Sequence, residues 1–274
     1  MNESSEVDRM QSCTGRLKGK IAIVTGSAQG IGEGIAKAMA KEGAIVGLWD
    51  ISDKVHKIAE DIRKFGSRAT AHIVNVAEWR QVKEAVQQIV DEFGRVDILV
   101  NNAAIARFAL FVDMIDSVRD EVINVNFYGM WNCTKAVIPE MIKQEYGKII
   151  NISSVTGPRV ATAGLTAYAA SKGAISAVTR TLALEVAEYG ITVNAILPGW
   201  IDTPLSEPMA EDLKMDQDEF DVWIGKSVPM KRMGKTSELG DLGVFLGSDE
   251  STYITGQEII IDGGNTIQEV KGIS

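Results

Sequence analysis

Apolar positions along this chain follow two alternating patterns. Short, nearly continuous apolar runs lie at 20–25 (KIAIVT), 44–49 (AIVGLW), 70–74 (TAHIV), 96–100 (VDILV), 148–153 (KIINIS), 191–197 (ITVNAIL) and 258–262 (EIIID). Runs of this length, rich in β-branched residues, read as strands covered on both faces. Between them the apolar spacing turns to a helical period over 31–42, 53–65, 78–93, 116–143, 168–188 and 236–247. In the fifth helix Ile175, Val178, Leu182 and Val186 form a stripe, and Gly190 supplies a stop. Strand and helix in alternation predict an α/β chain with a doubly wound parallel seven-stranded sheet and helices on both faces. The acidic stretch 204–227 breaks this rhythm after the sixth strand and reads as a lid over a ligand end. Residues 1–16 are polar and predicted to be disordered, leaving 17–274 as a single domain.

Composition narrows the function classes. Among 274 residues, 28 are basic and 37 acidic, and a net charge of −9 argues against a surface that tracks nucleic-acid phosphates. Two cysteines (Cys13, Cys133) and two histidines (His56, His72) offer neither a disulfide framework nor a zinc ligand set, so no metal is expected. No apolar run reaches the length of a membrane span and the first residues lack the pattern of a signal peptide, which points to the cytoplasm.

Three local patterns carry chemistry. After the first strand, TGSAQGIG sets Gly26, Gly30 and Gly32 at the opening of a helix. Such a turn brings backbone N–H groups and the positive end of a helix to a pyrophosphate. Asp50 ends the second strand, where a carboxylate can accept hydrogen bonds from ribose hydroxyls. A 2′-phosphate there would meet like charge, and Ser27, Ala28 and Gln29 offer no cation, so NAD is favoured over NADP. Finally, AYAASKGA places Tyr168 and Lys172 four positions apart, on one helix face. They are either an incidental surface pair or a phenol tuned by an ammonium. At about 5 Å and an effective dielectric of about 20, the ammonium favours the phenolate by roughly 3 kcal/mol, lowering the phenol pKa by about 2.

Taken in order, these motifs resemble those of the short-chain dehydrogenase/reductase family, from about Leu17 to Gly264. The resemblance adds NNAA (101–104), Asn126 in NVNFYG, Ser154 in NISSV, PGWIDT (198–203) and YITGQEIIIDGG near the end. It departs in Ala104, where the family usually has glycine, in Asn75, where many members have aspartate, and in a Ser154-to-Tyr168 spacing of fourteen. Ser153 is the alternative to Ser154.

The resemblance implies a Rossmann-like fold and a nicotinamide-dependent oxidoreductase acting on a secondary alcohol or ketone. Tyr168 would be the general acid/base, Ser154 would hold the substrate oxygen, Lys172 would bind the nicotinamide ribose, and Asn126 would hold a relay water. Cofactor contacts would come from Gly26, Ser27, Gln29, Gly30, Ile31, Gly32, Asp50, Ile51, Asn75, Val76, Asn102, Ala103, Pro198, Gly199, Ile201 and Thr203. It also implies a homo-oligomer, dimer or tetramer. For the substrate, Arg107 and Arg159 are candidates to attract an anionic group, and Phe108, Leu165 and Trp200 to shape the pocket. A 3-oxoacyl reductase and a non-catalytic dinucleotide sensor are the competing readings.

Overall fold

A computed structural model describes residues 15–204 and 214–269. The apolar runs form seven strands: β1 (Ile21–Thr25), β2 (Ile45–Asp50), β3 (Ala69–Ile73), β4 (Ile98–Asn101), β5 (Gly147–Ile152), β6 (Ile191–Pro198) and β7 (Glu258–Ile261). They join one parallel sheet in the order β3-β2-β1-β4-β5-β6-β7. The chain winds outward from β1 to β3 and then returns to lay β4 against the other side of β1. That reversal opens a crevice at the carboxyl ends of β1 and β4, where open α/β sheets bind their ligands.

The helices are α1 (Gly30–Lys41), α2 (Lys54–Lys64), α3 (Trp79–Phe93), α4 (Asp116–Ile123), α5 (Gly129–Lys143), α6 (Thr166–Val186), α7 (Gln217–Ser227) and α8 (Thr236–Gly247). Every residue of β1, β5 and β6 is buried, because each strand is roofed on both sides. On one face Ile35 and Met39 of α1, Ile62 of α2 and Val244 of α8 cover Val24, Leu48 and Val100. On the other, Val86 of α3, Val137 of α5 and Val186 of α6 cover Ile23, Leu99 and Val193. Helices α1 and α8 touch through their backbones. A Cβ on Gly34 would fall 2.7 Å from Thr236, and one on Gly240 3.0 Å from the Gly34 carbonyl.

Two elements differ from the sequence pattern. The single helix expected over 116–143 is broken by a π-helical turn, Asn124–Tyr128, between α4 and α5. Part of the expected lid is the helix α7, capped by Asp216, whose carboxylate accepts from the Glu219 N–H at 2.8 Å. Its Phe220 and Ile224 are buried with Met233 against Trp200 and Met215. Residues 205–213 of that lid, and 1–14 of the expected tail, lie outside the described residues. The ordered domain starts before Leu17: the Arg16 guanidinium lies 2.9 Å from the Glu42 carboxylate.

At the amino ends of β1 and β5, Lys20 Nζ stands 3.8 Å above the Tyr146 ring and 3.4 Å from Asp249. Tyr146 donates its hydroxyl proton to the same Asp249 oxygen at 2.9 Å, and Lys148 Nζ lies 5.9 Å from the ring centroid. Among the described residues no helix is long and apolar enough to cross a membrane, and no group of three or more His, Cys, Asp or Glu could hold a metal ion.

Candidate active site

The carboxyl edge of the sheet is built in two parts. The first is the glycine turn between β1 and α1, where Gly26 and Gly30 take φ of +64° and +60°, the left-handed region that disfavours any side chain. A Cβ on Gly26 would also collide with the Ala103 backbone, 2.7 Å away, and one on Gly32 with the Gly26 carbonyl at 2.1 Å. Asn102 explains this closeness. Its Nδ2 donates to the carbonyls of Thr25 (3.0 Å) and Gly26 (2.9 Å), while the Asn102 and Ala103 N–H groups both donate to Thr25 Oγ1. The side chain of Asn102, one of the expected cofactor contacts, therefore braces the turn.

Asp50 stands beside this turn at the end of β2. One carboxylate oxygen accepts from the Ala28 N–H (3.0 Å), the other from the Ser52 N–H (2.9 Å). Ser27 is fully buried and donates through N–H and hydroxyl to the Trp49 carbonyl, so it shapes the turn from beneath. Ile51 is exposed at the rim, and Val76 is buried. Asn75 forms a local turn in which its Oδ1 accepts from the Ala77 N–H at 3.1 Å.

After β6, the Gly199 N–H donates to the Ile261 carbonyl at 3.0 Å and Ile201 pairs with Gly234. The chain then crosses the start of α1, where Thr203 lies 3.5 Å from the place of a Gly30 Cβ. A cleft of about 440 Å³ opens there, lined by Gln29, Gly30, Asp202, Thr203 and Gln217 among others. A helix start rich in N–H donors beside a strand-end carboxylate fits a dinucleotide.

The second part lies where β5 ends against α6. The Ser154 side chain stands beside the Tyr168 hydroxyl, and its Oγ accepts from the Thr156 N–H at 3.1 Å. Lys172 Nζ lies 5.5 Å from the Tyr168 ring centroid and donates to the Ile152 carbonyl at 2.8 Å. Ser153 points elsewhere: its hydroxyl donates to the Lys172 carbonyl (2.9 Å) and meets Ser176 (3.2 Å). Ser154, not Ser153, therefore faces the phenol. Asn126 sits in the π-helical turn and grips Ile105, with Oδ1 accepting from its N–H (2.8 Å) and Nδ2 donating to its carbonyl (3.0 Å). Such turns concentrate at functional sites.

Electrostatics here run against the sequence expectation. Tyr168 is part-buried, and burial pushes its pKa up, opposed by the neighbouring Ser154 side chain. Burial also brings Lys172 down to about 7. Low dielectric penalises both charged forms, so an amine only partly protonated near neutral pH supplies less attraction to a phenolate than a full ammonium would. The lowering of the phenol expected from i, i+4 spacing is not present in the cofactor-free chain.

The family model described as enoyl-(acyl carrier protein) reductase matches residues 26–266. The chain belongs to the short-chain dehydrogenase/reductase family. It is an oxidoreductase of that family, with the family's Rossmann-like sheet. Oxidoreductase UcpA of Salmonella typhimurium is 47% identical over 256 residues, covering 93% of this chain and 97% of that protein. The 3-oxoacyl-[acyl-carrier-protein] reductase FabG of Thermotoga maritima is 42% identical, covering 92% of this chain and all (100%) of that one. A solved gluconate 5-dehydrogenase from Burkholderia cenocepacia, in complex with NADP and tartrate, superposes with a TM-score of 0.86 at 34% identity, covering 96% of this chain and 99% of that one.

In this dehydrogenase/reductase chain the substrate candidates do not converge. Arg107 is paired with Glu121 of α4 at 3.0 Å. Arg159 reaches Glu258 at 2.8 Å, on the first residue of β7, and Arg180 pairs with that same carboxylate. Glu258 is in register with Ala195, three residues before the carboxyl end of β6, or about 10 Å from the reactive edge. Trp200 packs edge-on to Phe220 at 6.3 Å between ring centroids and closes the α7 cluster. Ser171, a buried hydroxyl on the α6 backbone, has no sequence signal beyond being a small polar residue beside the motif lysine.

Proposed function

We propose that the protein transfers a hydride between NAD(H) and a secondary alcohol or its ketone, with Tyr168 as the general acid/base. The observation that carries this reading is the Lys172 amine 5.5 Å from the Tyr168 ring centroid, with Ser154 beside the phenol, at the sheet edge that bears the glycine turn. When bound, the nicotinamide dinucleotide accepts or supplies the hydride, and its oxidised ring adds positive charge beside the phenol. Gly26, Gln29, Gly30, Ile31 and Gly32 present the turn to the pyrophosphate, and Asp50 takes the adenosine ribose. Ile51, Asn75 and Val76 flank the adenine; Ala103, Pro198, Gly199, Ile201 and Thr203 enclose the nicotinamide half. Ser154 orients the substrate oxygen, and Tyr168 removes its proton during oxidation or returns it during reduction. Lys172 binds the nicotinamide ribose. Asn126, its side chain committed to Ile105, leaves its backbone to hold a water that passes the proton outward.

Asp50, with no cation at Ser27, Ala28 or Gln29, supports NAD over NADP. The competing reading, reduction of 3-oxoacyl thioesters, is favoured by the 42% identity to the Thermotoga maritima reductase. We place the protein in the cytoplasm as a homo-oligomer, dimer or tetramer, in keeping with the exposed apolar Trp131 of α5 and Leu184 of α6.

Absorbance of reduced nicotinamide, followed with polyols, hydroxy acids and 3-oxoacyl thioesters and with each dinucleotide, tests the proposal. Turnover of an alcohol with NAD supports it. Reduction of thioesters alone selects the second reading, and no hydride transfer with any pair rejects both.

A further inference from the structure

Between its tyrosine and its lysine, α6 carries a fully buried serine whose hydroxyl is used twice. Ser171 Oγ donates to the Tyr168 carbonyl at 2.7 Å and accepts from Asn126 Nδ2 at 3.1 Å. The same Asn126 amide holds the N–H and carbonyl of Ile105, in the segment that leaves β4. Tyr168 sits in the first turn of α6, and Leu165 at the N-cap makes no side-chain hydrogen bond to steady that turn. An uncapped first turn depends on such tertiary contacts to stop fraying.

We propose that Ser171 is a positioning residue that fastens the Tyr168 turn to Asn126, and through it to the segment after β4, keeping the phenol beside Ser154. The hydroxyl does not touch the reacting atoms. It acts through the Tyr168 backbone, and its importance for turnover rests on the reading of Tyr168 as the proton carrier. The mechanical linkage does not depend on that reading.

The test labels the five tyrosines with 3-fluorotyrosine and assigns the Tyr168 fluorine signal by its loss in Tyr168→Phe. All spectra are taken without cofactor at pH 7. Ser171→Ala is expected to shift and broaden the Tyr168 signal while the other signals stay in place, and Ser171→Thr, which keeps the hydroxyl, to return it. Should Ser171→Ala fail to fold, Ser171→Cys keeps the volume with a weaker donor and is read the same way. In an alcohol assay, Ser171→Ala lowers kcat by about 10- to 100-fold, the scale of a small misplacement of a reacting group, with dinucleotide Kd unchanged. A Tyr168 signal that superposes on wild type in position and width overturns the proposal, as does equal perturbation by Ala and Thr. Absence of turnover in the wild type defeats the functional reading and leaves the spectral result standing.

Discussion

The protein holds two tyrosine–lysine clusters at opposite edges of one sheet, and they behave differently. At the amino edge, Tyr146 lies under Lys20 and beside Lys148, with its hydroxyl on the Asp249 carboxylate. At the carboxyl edge, Tyr168 lies beside Lys172 and next to Ser154, and the Lys172 amine donates to the Ile152 carbonyl rather than to a carboxylate. Burial raises both phenols, but at Tyr146 the carboxylate adds to the rise by taking the proton's hydrogen bond and repelling a phenolate. Burial likewise lowers both Lys148 and Lys172, yet Asp249 pulls Lys148 back up while Lys172 descends to about 7 unopposed. A nearby acid turns such a cluster into a staple. Without one, the lysine's proton stays close to balance at neutral pH.

Tyr168→Phe should break the comparison most. Turnover should fall by about 10²–10⁴-fold with dinucleotide binding kept, whereas Tyr146→Phe should leave it within about twofold. Steady-state rates and fluorescence titration check both. Asp50→Asn, which retains an acceptor for the Ala28 N–H but loses the charge, is expected to weaken NAD by about tenfold and NADP far less, as read from the two dissociation constants.

Lys172→Met sharpens the electrostatic half. Lysine titrates at 10.5 when unfolded and about 7 here, so between these values the unfolded chain holds the extra proton. Through this group stability rises with pH from about 7 toward 10.5 and is lowest below 7. The methionine variant should therefore resist denaturant better than wild type at pH 6, and the wild-type gain between pH 7 and 10 should flatten. A steeper slope in the variant would contradict the burial argument. The smallest effect expected is at the staple: Tyr146→Phe costs about 1 kcal/mol, measured by denaturant unfolding.

Much of this was legible in the sequence. All seven strands lie within two residues of the apolar runs, because a buried parallel strand must be apolar on both faces. The helix α7 was not, since two buried residues four apart, Phe220 and Ile224, are a faint stripe within an acidic stretch. Helical spacing placed Tyr168 and Lys172 together, but it carries no information on burial, which reversed the direction of the phenol's shift. Arg107 and Arg159 looked available because Glu121 and Glu258 lie 14 and 99 residues away along the chain. Proximity to a motif could not reveal partners that only the fold supplies.

The contact of α1 with α8 through Gly34 and Gly240 bears on how the protein is made. The helix that opens the glycine turn (Gly30–Lys41) is translated well before the helix that roofs it (Thr236–Gly247). A nascent chain can pair β1, β2 and β3 on the ribosome, but it cannot bury the outer side of α1 until residues 236–247 have been made. Stop codons ahead of residue 236 should thus yield aggregation-prone fragments rather than a smaller working nucleotide binder.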